Sequence, residues 1–190
     1  MKIIVIVDMQ NDFITGALGS PEAQAIVPVM VERLEELNSS ENLIIFTKDT
    51  HYDNYLDTQE GKNLPVPHCI EGTMGWSICK PIASAAGRNS NFCYYSDSDI
   101  INSRILKNTF GSLRLAELIK DICKDDFIDE IILMGVCTDI CVVSNAMLIK
   151  TFCPEVKITV DASCCAGVTP ERHLAALETM KSCQINVINE

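Results

Sequence analysis

Short apolar runs rich in β-branched residues recur along the chain and alternate with segments whose apolar residues follow a helical spacing. Continuous apolar runs are typical of strands that are buried on both faces of a sheet. Five such runs are present: Lys2 to Val7, Leu43 to Phe46, Glu130 to Met134, Val156 to Val160 and Ile185 to Ile188. The alternation predicts a three-layer α/β/α fold with a mostly parallel sheet of about six strands, and ligands at the carboxyl ends of those strands.

Helices are predicted between these runs, and three of them have an apolar face that a sheet can cover. Ser112 and Thr169 precede two of them and are favoured N-cap residues, and Pro170 suits a first helical position. The three faces consist of Ala23, Ile26, Val27, Met30, Leu34 and Leu37; of Leu115, Leu118, Ile119 and Ile122; and of Leu174 and Leu177.

Length and composition suit one domain that spans residues 1–190. Of the 190 residues, 47% are hydrophobic and 22% charged, which is ordinary for a protein with one large core. Acidic residues outnumber basic ones by 26 to 15, and the resulting charge of −11 opposes binding to nucleic acid and to anionic membranes. No apolar run is long enough to span a membrane, and the first residues do not resemble a signal peptide. We therefore expect a cytoplasmic protein.

Ten cysteines are spread along the chain. They would indicate a disulfide framework in a short secreted protein, but the length of this chain and its apolar core favour reduced thiols. No two of them have the Cys-x-x-Cys spacing, which argues against a zinc ribbon and against a thioredoxin-type site. Most are expected to pack in the core as small hydrophobic residues.

Two residues at predicted strand ends are candidates for catalysis. Asp8 ends the first strand, although an aspartate at this position also serves as a turn or cap residue. Cys141 lies where the segment from Met134 to Val143 turns from a strand into the first turn of a helix. The N–H groups of a first helical turn favour a thiolate and can hold an oxyanion. The alternative for Cys141 is a buried residue that packs this helix on the sheet.

The remaining candidates are a lysine and a set of metal-binding residues. Lys107 comes just before the predicted helix, where a lysine is ordinarily a solvated surface charge. Asp49 and His51 project to the same side of a strand end, and Glu60 and His68 follow in a long loop. These donors suit zinc, iron or manganese. The alternative is a loop that its histidines hold together by hydrogen bonds.

In this order along one chain, these motifs resemble the isochorismatase-like cysteine hydrolases, and within them most closely the nicotinamidases. The resemblance extends from Lys2 to about Val187 and implies the fold of that family. It implies a catalytic triad of an aspartate after the first strand, a lysine before a mid-chain helix and a cysteine that opens a later helix. These roles fall on Asp8, Lys107 and Cys141.

The same resemblance implies an oxyanion hole and a metal site. The stretch from Gly135 to Val142 matches the family element Gly-Val-x-Thr-Asp-x-Cys-Val. It implies a cis peptide bond between Val136 and Cys137, and an oxyanion hole formed by the backbone N–H groups of Cys137 and Cys141. The implied metal is zinc, with iron or manganese as alternatives. Its implied ligands are Asp49, His51, Glu60 and His68.

The implied reaction is hydrolysis of a small amide, nicotinamide first among them, through a thioester. Phe13 matches an aromatic residue of the family, and Phe110 is a candidate for a second wall of the substrate pocket. Two further positions that are often aromatic in nicotinamidases hold Pro65 and Leu113 in this chain.

Three alternatives to a nicotinamidase remain open. Within the family, they are a carbamoyl amidase, against which the metal set counts, and an isochorismatase-type hydrolase, against which both Cys141 and the metal set count. Outside enzymes, the alternative is a catalytically silent protein that binds metal or senses redox state through Cys141. Relatives commonly assemble, so a homodimer or homotetramer is expected by analogy.

Overall fold

Strands and helices alternate along the chain as the apolar pattern predicts. The structure, a computed structural model, describes residues 1–87, 100–101 and 104–190. The strands are β1 (Lys2–Val7), β2 (Leu43–Asp49), β3 (Ile100–Ile101), β4 (Arg104–Lys107), β5 (Glu130–Val136), β6 (Ile158–Ala166) and β7 (Asn186–Ile188). The helices are α1 (Asn11–Ile14), α2 (Pro21–Leu37), α3 (Gln59–Asn63), α4 (Lys80–Ala86), α5 (Leu113–Asp125), α6 (Val143–Phe152) and α7 (Pro170–Ser182). A 3-10 turn (Tyr55–Asp57) precedes α3, and a π-helical turn (Thr138–Val142) precedes α6.

The described strands form one sheet in the order β3-β4-β2-β1-β5-β6-β7. All neighbouring pairs are parallel except β3 and β4, which are antiparallel. The mostly parallel sheet predicted from the sequence is therefore confirmed. The chain builds one side of the sheet from β1 and then returns to build the other side from β5. In open parallel sheets, ligands bind where the strand order reverses in this way, beyond the carboxyl ends of the central strands.

The sequence pattern missed two strands and mislocated the ends of others. The strands β3 and β4 are short, and β4 ends on Lys107. Strand β2 continues three residues past the apolar run, through Thr47 and Lys48 to Asp49, all of which are buried. Strand β6 likewise continues past Asp161 to Ala166. Polar residues that the fold buries interrupt these runs, so hydrophobicity alone could not locate the strand ends.

Helices cover both faces of the sheet. Ile3, Val5 and Val7 of β1 face the core beneath α5, α6 and α7. Ile4 and Ile6 face the opposite core, beneath α2 and α4. The predicted caps are confirmed, since the Ser112 hydroxyl accepts a hydrogen bond from the N–H of Leu115 and the Thr169 hydroxyl accepts one from the N–H of Arg172. These caps fix where α5 and α7 begin.

One predicted core residue is wrong. Leu174 was expected to face the sheet with Leu177, but its side chain is 57% exposed, whereas Leu177 is buried. The buried face of α7 is a narrow stripe through Ala176, Leu177 and Met180. Successive residues are turned by about 100° around a helix, so Leu174 points well away from this stripe.

The described cysteines are free thiols, as expected for reduced cysteines. Cys93, one of the cysteines predicted to pack in the core, lies outside the described residues. None of the helices in the described part of the chain is both long and apolar enough to cross a membrane.

Candidate active site

Four strands carry polar residues to one edge of the sheet. Asp8 follows β1, Asp49 ends β2, Lys107 ends β4 and Cys137 follows β5. Because these strands are parallel, their carboxyl ends meet at the same edge. The central strands approach very closely here, since a side chain at Gly135 would collide with the backbone of β1. The glycine therefore lets the strand that leads to Cys137 lie directly beside the strand that leads to Asp8.

Asp8, Lys107 and Cys141 are brought together in the buried part of this edge. Lys107 Nζ lies 2.6 Å from Asp8 Oδ2 and donates to Cys141 Sγ at 3.5 Å. Thr47 donates from its hydroxyl to Asp8 Oδ1 at 2.7 Å, which holds the carboxylate from its other side. All four residues are buried. The structure thus places an acid, a cation and a thiol within one contact network.

Burial and charge set the protonation of this network. Burial raises the pKa of Asp8, although the charge of Lys107 opposes the rise. Burial also opposes the charge on Lys107, but Asp8 and Cys141 outweigh it and hold the pKa of Lys107 above its ordinary value. Burial and the negative charge of Asp8 raise the pKa of Cys141 well above that of a free thiol. These effects favour the thiol form of Cys141, so a base must remove its proton before it can act as a nucleophile.

The turn that carries Cys141 differs in one respect from the prediction. The cis peptide bond between Val136 and Cys137 is present. Cys141, however, lies in the π-helical turn Thr138–Val142 rather than in the first turn of an α-helix, and α6 begins two residues later. Within the turn, the N–H groups of Ile140 and Val142 both donate to the Cys137 carbonyl at 3.1 Å. These bonds fold the segment so that Cys137 and Cys141 lie on the same turn.

Three of the four predicted metal ligands form a cluster beside the triad. One ligand atom from each of Asp49, His51 and His68 lies within 4.8 Å of the others, and all three residues are buried. Asp49 Oδ2 lies 3.0 Å from His51 Nε2 and 3.4 Å from His68 Nε2. Its other oxygen, Oδ1, lies 3.6 Å from Lys107 Nζ. Asp49 therefore connects the cluster to the triad.

The histidines are oriented for a cation. The Val66 carbonyl accepts a hydrogen bond of 2.8 Å from His68 Nδ1, which leaves Nε2 of that ring with a free lone pair. The buried His51 Nε2 lies close to Asp49 Oδ2, but no contact that it makes within the described part of the chain has the geometry of a hydrogen bond. An unsatisfied nitrogen in a buried cluster is costly unless a ligand occupies it. The fourth predicted ligand, Glu60, lies at the edge of the cluster, with Oε1 at 3.6 Å from His51 Nε2 and 3.8 Å from His68 Nε2.

Gln10 is a site residue that the sequence did not reveal. Its side-chain amide accepts from the N–H of Asp49 at 2.7 Å and donates to the Asp49 carbonyl at 2.8 Å. It also donates to the Trp76 carbonyl at 3.0 Å. The amide thus pairs with Asp49 as a neighbouring strand would, and it fixes the end of β2. Nothing in the sequence distinguishes it from a solvent-exposed glutamine of a polar loop.

Asn145 is a second site residue that was not predicted from the sequence. Its side chain donates to the Cys141 carbonyl at 2.8 Å and to the Phe110 carbonyl at 3.2 Å, and accepts from the N–H of Ser112 at 2.9 Å. It therefore ties the cysteine turn to the loop that follows Lys107. A signal was present here, because Asn145 lies four residues after Cys141, on the same side of a helical segment.

Phe13 and Phe110, the two predicted walls of the substrate pocket, lie in different surroundings. The Phe13 ring lies edge-on to His68, with ring centroids 5.5 Å apart, so it borders the metal-binding cluster. Phe110 is half exposed in the loop after Lys107. Leu113, at one of the positions that departs from the nicotinamidase pattern, is exposed at the start of α5, and Pro65 is exposed in the loop before His68.

Comparison with known proteins identifies the family of the chain. The family description "Isochorismatase domain" matches residues 2–190. The chain is 26% identical to a nicotinamidase of Schizosaccharomyces pombe, over 98% of this chain and 92% of that protein. Its fold is similar to that of a nicotinamidase from Bacillus subtilis, with a TM-score of 0.80, 24% identity and 99% of each chain covered. It is also similar to a pyrazinamidase of Pyrococcus horikoshii solved in complex with zinc, with a TM-score of 0.74, 23% identity, and 100% and 99% of the two chains covered.

The chain belongs to the isochorismatase family, because the family match spans nearly its whole length. With the nicotinamidases among its relatives and a buried acid, lysine and thiol at the carboxyl edge of its sheet, it is an amidohydrolase of that family.

Proposed function

We propose that this amidohydrolase converts nicotinamide to nicotinate and ammonia through a thioester on Cys141. The observation that carries the proposal is the contact of one buried cation, Lys107 Nζ, with both Asp8 at 2.6 Å and Cys141 at 3.5 Å. The cluster of Asp49, His51 and His68 beside it suits a substrate with a metal-binding ring nitrogen. The relatives that act on nicotinamide and pyrazinamide support a heteroaromatic amide.

In the first half of the reaction, Asp8 is the general base. It takes the proton of the Cys141 thiol, and the thiolate attacks the amide carbon to form a carbon–sulfur bond. When the tetrahedral intermediate collapses, the carbon–nitrogen bond breaks and Asp8 gives its proton to the departing ammonia. Lys107 stays charged throughout and stabilises whichever of Asp8 and Cys141 is negative.

In the second half, water hydrolyses the thioester. Asp8 takes a proton from the water, whose oxygen attacks the thioester carbon, and Cys141 leaves as a thiolate and recovers that proton. The raised pKa of Asp8 suits this double role, because a carboxylate with a higher pKa is a stronger base and still returns its proton readily.

The negative oxygen of each tetrahedral intermediate needs hydrogen-bond donors. We assign the backbone N–H groups of Cys137 and Cys141 to this role, since both residues lie on the turn that presents the nucleophile. A preorganised donor of this kind contributes about 3 kcal/mol to the stability of the transition state.

We propose zinc as the metal of the cluster. The ligand atoms of Asp49, His51 and His68 converge, and the buried His51 Nε2 lacks a hydrogen-bond partner in the described part of the chain, so the residues fit a divalent cation. Carboxylate and imidazole donors suit zinc, as well as iron and manganese, and the pyrazinamidase of P. horikoshii is a zinc complex. Glu60 would complete the set. A metal held by Asp49, His51 and His68 would supply a Lewis acid suited to the ring nitrogen of the substrate.

Phe13 and Phe110 are proposed to flank the substrate ring. Phe13 already contacts His68, so a ring held over the cluster would lie against it. Phe110 follows Lys107 by three residues, in a loop that Asn145 ties to Cys141.

The thioester can be tested by ammonia release and by trapping. The purified protein should release ammonia from nicotinamide, whereas Cys141→Ala should show no turnover and Cys183→Ala, at the end of α7, should keep the parent rate. Added hydroxylamine should divert part of the product to the hydroxamate, because it attacks a thioester more readily than water does. Release of nicotinate by Cys141→Ala at the parent rate would contradict the proposal.

The substrate and the metal need separate measurements. A panel of nicotinamide, pyrazinamide and N-carbamoyl amino acids should give the highest kcat/KM with nicotinamide, and preference for a carbamoyl compound would contradict the assignment. Removal of metal by a chelator should abolish turnover, and zinc should restore it better than manganese or iron. Unchanged metal content in Asp49→Ala would reject the proposed ligands.

A further inference from the structure

His173 is the one histidine of the chain that lies outside the metal cluster, and it faces the turn that carries Cys141. It lies on α7, four residues before Leu177, and so on the buried stripe of that helix. Its Nδ1 lies 2.8 Å from the hydroxyl oxygen of Thr138, the first residue of the π-helical turn. Thr138 is completely buried.

The segment just before α7 also contacts Asp139, the next residue of the turn. Asp139 accepts a hydrogen bond from the N–H of Val168 at 2.9 Å. The packing is tight here, because a side chain at Gly167 would lie 2.9 Å from both the side-chain oxygen Oδ1 of Asp139 and the backbone nitrogen of His173. Two successive residues of the turn are therefore bonded to one short segment at the entry to α7.

The position of Thr138 makes its hydrogen bond relevant to catalysis. Thr138 directly follows Cys137 and precedes Cys141 by three residues, so it lies between the two proposed oxyanion donors. Such donors work only when they are held within a fraction of an ångström of the oxyanion position. A buried hydroxyl without a partner would instead seek other bonds and shift the turn.

We propose that His173 is a positioning residue, which holds Thr138 and thereby fixes the backbone N–H groups of Cys137 and Cys141 relative to the nucleophile. The proposal rests on the proposed function, since it assigns these N–H groups to the oxyanion hole. Among the described residues, the imidazole hydrogen-bonds to the Thr138 hydroxyl, and it acts through the turn rather than on the triad or the metal cluster.

Kinetics of a double-mutant cycle test this role. His173→Leu and Thr138→Val should each lower kcat by about tenfold with KM changed by less than about twofold, because a misplaced donor affects the transition state more than substrate binding. The double variant should be no slower than either single variant, since both remove the same bond. His173→Asn keeps a polar side-chain atom near the position of the histidine Nδ1 atom, and it should retain most of the kcat that His173→Leu loses. Leu174→Ala, on the exposed side of the same helix, is the matched control and should keep the parent rate.

A second readout does not depend on the substrate. Alkylation of Cys141 by iodoacetamide, followed by mass spectrometry, should be about fivefold faster in His173→Leu because the loosened turn opens locally. Alkylation of Cys165, buried in β6, should not change, whereas global unfolding would expose both thiols. If the parent protein fails to hydrolyse any amide, the proposed function fails, and the alkylation rates still decide the role of His173. Equal alkylation of Cys141 in the parent and in His173→Leu, or additive losses of kcat in the cycle, would overturn the inference.

Discussion

At the scale of single residues, Lys107 has two roles that ordinary mutagenesis would confuse. It is a buried cation that neutralises the buried Asp8, and it also contacts Cys141, the proposed nucleophile. Removing one partner of a buried ion pair costs about 3 to 5 kcal/mol, because the other charge remains in a low-dielectric environment. A loss of activity in a Lys107 variant would therefore reflect lost stability as well as lost chemistry.

A pair of variants separates the two roles. Lys107→Met should lower the free energy of unfolding by about 3 kcal/mol and abolish turnover. Asp8→Asn combined with Lys107→Met removes both charges and should recover most of that stability, but no activity. Urea unfolding near neutral pH and ammonia release measure the two effects. If the double variant is as unstable as Lys107→Met, unpaired charge is not the cause of the loss.

Gln10 illustrates a residue that acts through another. Its two hydrogen bonds to the backbone of Asp49 fix the strand end from which that carboxylate reaches the cluster. Loss of a group that orients a metal ligand weakens metal binding by about 10- to 100-fold. We expect this loss in Gln10→Leu, measured by competition with a chromogenic chelator. Asn11→Ala is the control, because it removes a neighbouring amide that bonds only to the Met74 carbonyl among the described residues, and it should bind metal as the parent does.

At the scale of elements, one side chain joins the π-helical turn that carries Cys141 to the loop before α5. Asn145 of α6 bonds to the carbonyl of Cys141 and to both the carbonyl of Phe110 and the N–H of Ser112 in the loop before α5. These bonds join the element that supplies the thiol to the one that follows Lys107. The distance between Lys107 and Cys141 therefore depends on a side chain that touches neither of their functional groups.

Substitution of Asn145 should affect both stability and catalysis. Asn145→Leu leaves buried backbone groups unpaired, and we expect a loss of about 2 to 4 kcal/mol in the free energy of unfolding. We also expect a lower kcat, because Cys141 and the loop after Lys107 lose their connection. Ser144→Ala removes a neighbouring bond to the Ile140 carbonyl and is expected to have the smaller effect on kcat. Equal kcat values for Asn145→Leu and the parent would show that the connection is not needed.

The elements also show how far sequence can predict this structure. The apolar runs located β1, β2, β5, β6 and β7, because strands buried on both faces need continuous hydrophobic residues. They could not locate β4, a four-residue strand with partly exposed Arg104, although β4 carries Lys107 to the site. The motifs of the resemblance supplied Asp8, Lys107 and Cys141, which the structure places in contact. Gln10 and His173 lay beyond prediction, since their roles depend on hydrogen bonds between segments far apart in the sequence.

At the scale of the whole molecule, the two ends of the sheet hold buried charged residues in different surroundings. The carboxyl edge brings together Asp8, Asp49 and Lys107, buried charges that carry an energetic cost and that the proposed chemistry uses. At the opposite end, Glu130 opens the central strand β5 and is surrounded by groups that favour its charge. Lys2 and Lys157 lie 2.9 Å and 2.8 Å from its carboxylate, and the Thr159 hydroxyl donates to it at 2.6 Å.

Glu130 should therefore make the free energy of unfolding depend on pH in the acid range. Burial disfavours its charge, but the hydrogen bonds from Lys157, Thr159 and Lys2 outweigh burial and lower its pKa from 4.5 to about 2. Since the folded-state pKa lies below the unfolded value, the stabilisation is complete above about pH 4.5 and is lost as the pH falls towards about 2. Both lysines are partly exposed, so solvent screening limits it to about 1 to 2 kcal/mol.

Urea unfolding of Glu130→Gln at several pH values tests this expectation. The variant should be about 1 to 2 kcal/mol less stable than the parent at about pH 7, and the difference should fall by more than half by about pH 3 because the unfolded parent is then protonated. Asp129→Asn removes the adjacent carboxylate, which is half exposed and pairs with the amino terminus. A surface pair of this kind contributes little, so this control should follow the parent within about 0.5 kcal/mol. A deficit in Glu130→Gln that stays constant with pH would mean that the residue stabilises the strand by packing or neutral hydrogen bonds rather than by its charge.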